Sequence, residues 1–160
     1  YAVQGEFRRY DGLNLLKHNA NEIPSTPVEA ASSIMLLADG CDVVGIDEAQ
    51  FFDDEIVNVC NELANRGMRV IVAGLDMDFK AEPFELVKEL MPRADYLYKH
   101  HAVCANCGVD AWVSYRKTHD DERIKLGASE SYEPLCRKCY YEKEKIREQM
   151  ENQLSMLEDE

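Results

Sequence analysis

Two Cys-x-x-Cys pairs stand out as residues spaced for chemistry: Cys104-Ala-Asn-Cys107 and Cys136-Arg-Lys-Cys139, with 28 residues between them. Each two-residue spacer lets both sulfurs of a pair face one ion, so the four thiolates can close a tetrahedral shell around zinc. Redox thiols are the alternative use of such pairs. A closed four-sulfur shell leaves no open position, so the expected metal is structural and not catalytic. It would also pin both ends of the segment from Gly108 to Leu135, and a loop tied in that way can serve as a lid. His100 and His101, beside the first pair, read as neighbours and not as ligands. Cys41 and Cys60 stand alone, which makes a disulfide framework the weaker reading of the six cysteines.

A second constellation is Gly45-Ile46-Asp47-Glu48-Ala49-Gln50-Phe51-Phe52. An Asp at the carboxyl end of a buried parallel strand is where phosphate-binding α/β proteins hold Mg²⁺, and a following carboxylate can orient or deprotonate a nucleophile. The plain alternative is a pair of acids leaving a strand. Asp-Glu-Ala-Gln also looks like the second motif of some helicases, but that machinery needs two ATPase domains, which an acidic chain of 160 residues can hardly supply. A third stretch, Gly74-Leu75-Asp76-Met77-Asp78-Phe79-Lys80 followed by Pro83-Phe84, places apolar groups just beyond a strand end. Leu75, Phe79 and Phe84, with Phe51, sit where core filling is expected last, although ordinary core residues under a loop would look the same.

The elements that must position these groups can be read in outline. Thr26-Pro27-Val28-Glu29 has the form of a capping box, predicting a helix from about Pro27 to Asp39 that stops at Gly40. Asp42 to Ile46 is a short apolar run suited to a strand buried on both faces, and Arg69 to Gly74 reads the same way. Between them, Asp53, Asp54 and Glu55 place negative charge at the start of a helix whose apolar residues Ile56, Cys60, Leu63 and Ala64 recur at helical spacing, with Gly67 as the stop. Strand, helix, strand with short links implies a right-handed crossover and a parallel sheet. A third helix is predicted over Phe84 to Leu90, broken by Pro92, and a third strand over Tyr96 to Lys99. After about Val103 the character changes to paired cysteines and short alternating stretches such as Trp112 to Tyr115. From Tyr140 the chain is charged, yet Ile146, Met150, Leu154 and Leu157 share one helical face, as a solvated or a partner-binding helix would.

Composition bounds these readings. Of 160 residues 46% are hydrophobic and 31% charged, which fits one globular domain, or one with a small appendage. Lys plus Arg number 18 against 31 Asp plus Glu, a net charge of −13 that argues against binding nucleic acid through its backbone. Nucleotides remain open, since a few placed groups and a metal ion can hold them. The longest apolar runs fall well short of the roughly 18 residues of a membrane span, and no basic-then-apolar signal opens the chain, so no membrane is expected and the expected compartment is the cytosol. The chain begins at Tyr1 without Met, and its first ten residues read like the middle of something, with residues expected to be missing upstream or spliced out.

Taken together, the motifs resemble the zinc-containing thymidine kinase family, the type found in many bacteria and in the eukaryotic cytosol. The matching pieces are IDEAQFFDDEI at Ile46 to Ile56, VIVAGLDMDF at Val70 to Phe79, AVCANC at Ala102 to Cys107 and GASESYEPLCRKC at Gly127 to Cys139, in the family's order. The resemblance implies an α/β fold: a P-loop-kinase-like (RecA-like) nucleotide-binding domain with a parallel sheet over residues 1–102. A small zinc-ribbon or lasso domain would follow over 103–139, and a charged helical tail over 140–160. It implies transfer of the γ-phosphoryl group of ATP to the 5′-hydroxyl of thymidine, with Glu48 as general base and Asp47 assisting Mg²⁺. Phe51, Leu75, Phe79 and Phe84 would pack around the thymine ring. Tyr132 and the backbone near Gly127 would belong to the zinc-tied loop that closes over the nucleoside, and Cys104, Cys107, Cys136 and Cys139 would be the zinc ligands. Arg116, near the loop's entrance, would meet phosphate. Homotetramers and feedback inhibition by thymidine triphosphate are also family properties.

The sequence departs from the family in four places. The phosphate-binding loop, Gly-x-x-x-x-Gly-Lys-Ser/Thr, has no counterpart, for the chain contains no Gly-Lys pair, and as written the 160 residues should not be a competent kinase. A non-catalytic zinc-ribbon module that binds nucleosides or supports assembly is therefore the alternative reading. Arg9-Tyr10 keeps a family pair, but Phe7 stands where the family has an acid. Ala81 replaces a usual glycine, and Glu85 follows Phe84 where glycine is common.

Overall fold

Val43–Asp47 (β5) and Arg69–Val72 (β6) pair in parallel, with Val43 opposite Arg69 and Ile46 opposite Val72. The computed structural model describes residues 2–5, 14–16, 22–118 and 131–158. These fall into two compact units, Tyr1–Asp76 with Pro83–Leu97, and Met77–Glu82 with Tyr98–Glu160. The first holds a parallel sheet in the order β4-β1-β5-β6, in which β1 is Ala2–Gly5 and β4 is Thr26–Val28. A separate antiparallel pair joins Asn14–Leu16 (β2) to Glu22–Pro24 (β3).

Helix α1 spans Ser32–Leu37 and α2 spans Glu55–Asn65. On α2 the buried residues Ile56, Val57, Val59, Cys60 and Leu63 form one apolar stripe, and they share a core with Val28, Ala31, Ile34, Ala38, Val44, Ile46 and Phe52. The stripe ends at Gly67, whose φ of +88° lets Met68 donate back to the Leu63 carbonyl at 3.2 Å. Helix α3, Glu85–Leu90, contributes Leu86 and Leu90 to the same core. A short 3₁₀ turn over Met91–Arg93 then absorbs Pro92.

Three local expectations are corrected. Thr26, Pro27 and Val28 do not open a helix: they pair with Val3, Gln4 and Gly5 as strand β4, and α1 begins at Ser32 without a side-chain cap. Pro27, which has no N–H to give, is accommodated because β4 lies at the sheet edge. The Ala31 N–H is taken instead by the Asp53 carboxylate at 3.0 Å. Neither β5 nor β6 is buried on both faces, since the described helices cover only one. Val44 and Ile46 face the core, whereas Val43 is 42% exposed, and on β6 Ile71 is 54% exposed. Tyr96 to Lys99 has no ladder partner among the described residues, and Tyr96 instead lies 5.4 Å beneath the Arg69 guanidinium.

The second unit is organised around the cysteines. Val113–Arg116 (β7) and Tyr132–Leu135 (β8) form an antiparallel pair. Helix α4, Arg137–Glu158, starts earlier than the sequence predicts, so Cys139 falls in its first turn. Ala111, Val113, Tyr115, Leu135 and Tyr140 pack with Cys104, Cys136 and Cys139 in a small core of their own. On the far part of α4, Ile146 and Met150 are exposed. No described helix is long and apolar enough to cross a membrane.

Candidate functional site

Strand β5 delivers Asp47 and Glu48 to the carboxyl edge of the sheet, both half-buried. The chain turns there because Glu48 adopts a left-handed backbone (φ 54°, ψ 44°) ahead of a 3₁₀ turn over Ala49–Phe51. That conformation is unfavourable for a residue with a Cβ, so the surroundings must enforce it. They do so through several hydrogen bonds. Asp47 Oδ1 accepts the Glu48 N–H at 3.0 Å, and the Glu48 carbonyl accepts the Phe51 N–H at 3.0 Å. Ala73, just past β6, donates to the Ile46 carbonyl at 2.8 Å and accepts from the Ala49 N–H at 3.0 Å.

Gln50 is the brace that the sequence reading did not single out. Its buried side chain donates through Nε2 to Glu48 Oε2 at 2.6 Å and accepts the Leu75 N–H through Oε1 at 3.0 Å. One amide thus fixes both the carboxylate and the start of the segment carrying Leu75. The available signal was an amide two residues after an acid, inside a strand-to-helix turn. The brace also explains Gly74. A Cβ there would lie 2.8 Å from Gln50 Oε1 and 3.2 Å from the Ala49 nitrogen, closer than side chains tolerate.

The first unit therefore brings together Asp47, Glu48 and Leu75, and it also carries Phe51 and Phe84. Leu75 is 50% exposed and Phe51 half-buried, while Phe84 is buried and donates its N–H to the Asp76 carbonyl at 3.0 Å. Phe79 and Tyr132 lie in the second unit, and Gly127 lies outside the described residues. The loop that carries Phe79 is closed by Asp78, whose Oδ1 accepts the N–H groups of Lys80 at 2.9 Å and Glu82 at 3.0 Å. Within it Ala81 takes φ +63°, the left-handed region that glycine favours. Tyr140 donates its hydroxyl to the Phe79 carbonyl at 3.3 Å. Burial, aided by Glu144, Tyr141 and Asp78 and opposed by Arg147, pushes that hydroxyl up to about 12, so it keeps its proton.

The sulfurs of Cys104, Cys107, Cys136 and Cys139 all lie within 4.8 Å of one another. Tetrahedral coordination at ordinary metal–sulfur lengths needs separations of about 3.8 Å, and Cys107 and Cys136 stand at 3.6 Å. The first knuckle is a tight turn: Gly108, at φ +77°, donates to the Cys104 carbonyl at 2.9 Å, and Cys104 donates to the Val109 carbonyl at 2.7 Å. The two knuckles are knitted together by Ala105 donating to the Pro134 carbonyl at 2.8 Å and by the Asn106 amide donating to Cys139 Sγ at 3.2 Å. Burial raises the Cys104 thiol, but N–H groups from Cys136, Cys107 and Asn106 outweigh it and bring the thiol down to about 6. The Asn106 amide pulls Cys139 down, yet burial and the other three sulfurs push it up to about 12. Four sulfurs this close resist shedding all their protons unless a cation sits among them. The cluster can hold a metal ion. His101 is engaged elsewhere, with Nδ1 at 2.9 Å from the Ala111 carbonyl.

The chain thus carries an α/β unit with a braced acid pair at a strand end and a second unit whose four clustered cysteines can hold a metal ion. The thymidine kinase family model matches residues 5–140, and the chain belongs to that family. Similar proteins include a thymidine kinase of Rhodothermus sp., 51% identical over 133 residues that make up 83% of this chain and 62% of that protein. A thymidine kinase of Bacteroides fragilis is 50% identical over 82% of this chain and 66% of its own length. One of Porphyromonas gingivalis is 48% identical over 82% of this chain and 65% of its own length. The chain thus spans somewhat less than two thirds of the length of these relatives.

Proposed function

We propose that the protein is a thymidine kinase of the zinc-containing class, transferring the γ-phosphoryl group of ATP to the 5′-hydroxyl of thymidine. The observation that carries the reading is the braced turn at the end of β5, which holds one oxygen of Glu48 on Gln50 and leaves Oε1 to meet a hydroxyl. Glu48 accepts the hydroxyl proton, and the enforced backbone of the turn aims the carboxylate before substrate arrives. Asp47 is the acid that assists Mg²⁺, and a strand-end carboxylate suits a hard, oxygen-seeking cation. When bound with ATP, Mg²⁺ supplies neutralisation of the phosphate charge. Phe51, Leu75, Phe79 and Phe84 pack around the thymine ring, and Tyr132 and the backbone near Gly127 close over the nucleoside.

In the same reading the first unit is P-loop-kinase-like (RecA-like). The second is a zinc-ribbon or lasso domain in which Cys104, Cys107, Cys136 and Cys139 hold a structural zinc, whose tetrahedral preference the four-sulfur donor set fits. Family membership supports a homotetramer in the cytoplasm, with thymidine triphosphate as feedback inhibitor. The alternative reading is a non-catalytic module that binds nucleosides or supports assembly, and one experiment separates the two.

The test is formation of thymidine monophosphate from ATP and thymidine by the complete protein and by its Glu48→Gln variant. The substitution should lower kcat by about 100- to 10,000-fold while leaving melting and thymidine binding in place. Unchanged turnover removes Glu48 from the role of base. Thymidine binding without phosphorylation, in the unsubstituted protein, selects the non-catalytic module.

A further inference from the structure

Arg116 ends β7 and is fully buried, with 0% of its surface exposed. Long cationic side chains are almost never fully buried unless their charge is engaged, so the position calls for a reason. Two aromatic residues supply one. Its Nη2 and Nε donate to the Tyr132 hydroxyl at 2.8 and 3.2 Å, and its guanidinium lies 3.8 Å above the centroid of the Phe79 ring. The contact with Tyr132 is built into the β-ladder, where Arg116 and Tyr132 are directly opposite partners. The next rung is fixed by Lys117 donating to the Ser131 carbonyl at 2.9 Å. From behind, Arg147 of α4 donates to the Arg116 carbonyl at 2.6 Å, and Tyr140 of the same helix holds the Phe79 carbonyl. Arginine, unlike lysine, can grip a hydroxyl with two N–H groups while laying its plane on a ring.

We propose that Arg116 is a positioning residue for the nucleoside: its guanidinium locks the Tyr132 hydroxyl and the Phe79 ring into one preorganised surface. The assignment rests on the thymidine kinase reading, in which both aromatics touch thymidine, and it replaces a direct phosphate contact as the role of this arginine. Arg116 acts through its neighbours, so disturbing it should weaken nucleoside capture and leave the phosphate donor untouched.

The experiment is a double-mutant cycle in the complete protein with Arg116→Lys and Tyr132→Phe, reading KM for thymidine, KM for ATP, kcat and equilibrium thymidine binding. Arg116→Lys should raise the thymidine KM by about 10- to 100-fold and Tyr132→Phe by about 3- to 10-fold, and the double variant should be little worse than Arg116→Lys alone, because the second change removes a contact already lost. The KM for ATP and kcat should stay within about threefold. Independent, multiplicative effects on the thymidine KM overturn the assignment. So does a rise in the KM for ATP or a fall in kcat with the thymidine KM unchanged, the signature of a phosphate contact. Should Arg116→Lys fail to fold, a cycle of Tyr132→Phe against Phe79→Leu takes its place. Coupling between those two supports a shared tether, and additivity overturns it. An unsubstituted protein that neither binds nor phosphorylates thymidine defeats the kinase reading and this assignment with it; normal thymidine kinetics with an additive cycle defeats this assignment alone.

Discussion

The turn at the end of β5 and the four-cysteine cluster both present reactive side chains, but they are held by opposite means. Glu48 is aimed by hydrogen bonds and close packing: one buried amide, the Asp47 carboxylate on its N–H, one close backbone approach at Gly74, and a sheet edge that continues into Ala73. Behind it stands an apolar core spread over β4, α1, β5 and α2. The cysteines, by contrast, are part of their own core, with Cys104, Cys136 and Cys139 packed among Ala111, Val113, Leu135 and Tyr140. A core that small cannot outweigh chain entropy unaided, and four crowded sulfurs favour a bound cation over a full set of protons. On the zinc reading, the first unit should keep its fold when it loses a functional contact, whereas the second should lose structure when it loses a sulfur.

The sharpest way to break that contrast is to remove one sulfur. Cys104→Ser or Cys136→Ser should abolish stoichiometric zinc, because structural zinc contributes on the order of 10 kcal/mol to the folding of small four-ligand modules. Metal analysis after dialysis, with circular dichroism before and after a chelator, reads the effect. The second unit should melt early while the first retains its transition, and stoichiometric zinc in either variant refutes the assignment.

Gly74→Ala probes the other side of the comparison with a smaller effect. The new methyl meets Gln50 Oε1 at 2.8 Å, so the amide must shift, weakening its hold on Glu48 and on the Leu75 N–H. We expect a loss of about 2 kcal/mol in stability, typical of overpacking, and a fall in kcat of about 10-fold or more from the misdirected carboxylate. Equal melting temperatures and rates for the variant and the parent would show that the brace is dispensable.

These two regions also differ in how far the sequence announced them. The cysteines were legible because ligand spacing is a local property, and Asp47 and Glu48 because an apolar run ending in acids marks a strand end. Gln50 escaped notice since its partner Leu75 lies across the sheet, at a distance in sequence that no local pattern encodes. Thr26 misled for a related reason: Thr-Pro-x-Glu favours a helix start locally, but pairing with the distant Val3 to Gly5 satisfies the same backbone as a ladder. Arg116 interrupted the inward-outward alternation of β7, and its contacts with the opposing Tyr132 and the Phe79 ring, neither adjacent in sequence, are what a local pattern does not encode.

Cys60 separates a buried cysteine that is merely core from those that bind metal. Burial raises its thiol to about 11 from an ordinary value of 9.0, a shift opposed only by a backbone hydrogen bond. The folded pKa exceeds the unfolded one, so the unfolded chain releases this proton first. The neutral thiol's contribution is complete below pH 9 and fades as pH rises toward 11. By pH 10 the loss should be about 1.4 kcal/mol. The difference in urea-unfolding free energy between the parent and Cys60→Ala, followed from pH 8 to pH 10.5, isolates this residue from other alkaline titrations. A pH-independent difference contradicts the prediction.

Ala81 offers the finest adjustment, and it lies in the loop that carries Phe79. At φ +63° an alanine bears a strain of about 1–2 kcal/mol that glycine does not. Replacing it with glycine relieves the strain but frees the unfolded chain, at about 0.4–1 kcal/mol. It also gives up the contact of a half-buried methyl with the cysteine-centred core. The relief is the largest of the three, so Ala81→Gly should stabilise the second unit by about 0.5 kcal/mol, a rise of about 2–4 °C in its melting transition at saturating zinc. The sign matters more than the size. The loop is already closed by Asp78 and anchored by Tyr140, so the backbone here is dictated by its surroundings and not by residue 81. A destabilised Ala81→Gly would mean that the methyl's packing, and not the turn, governs this position.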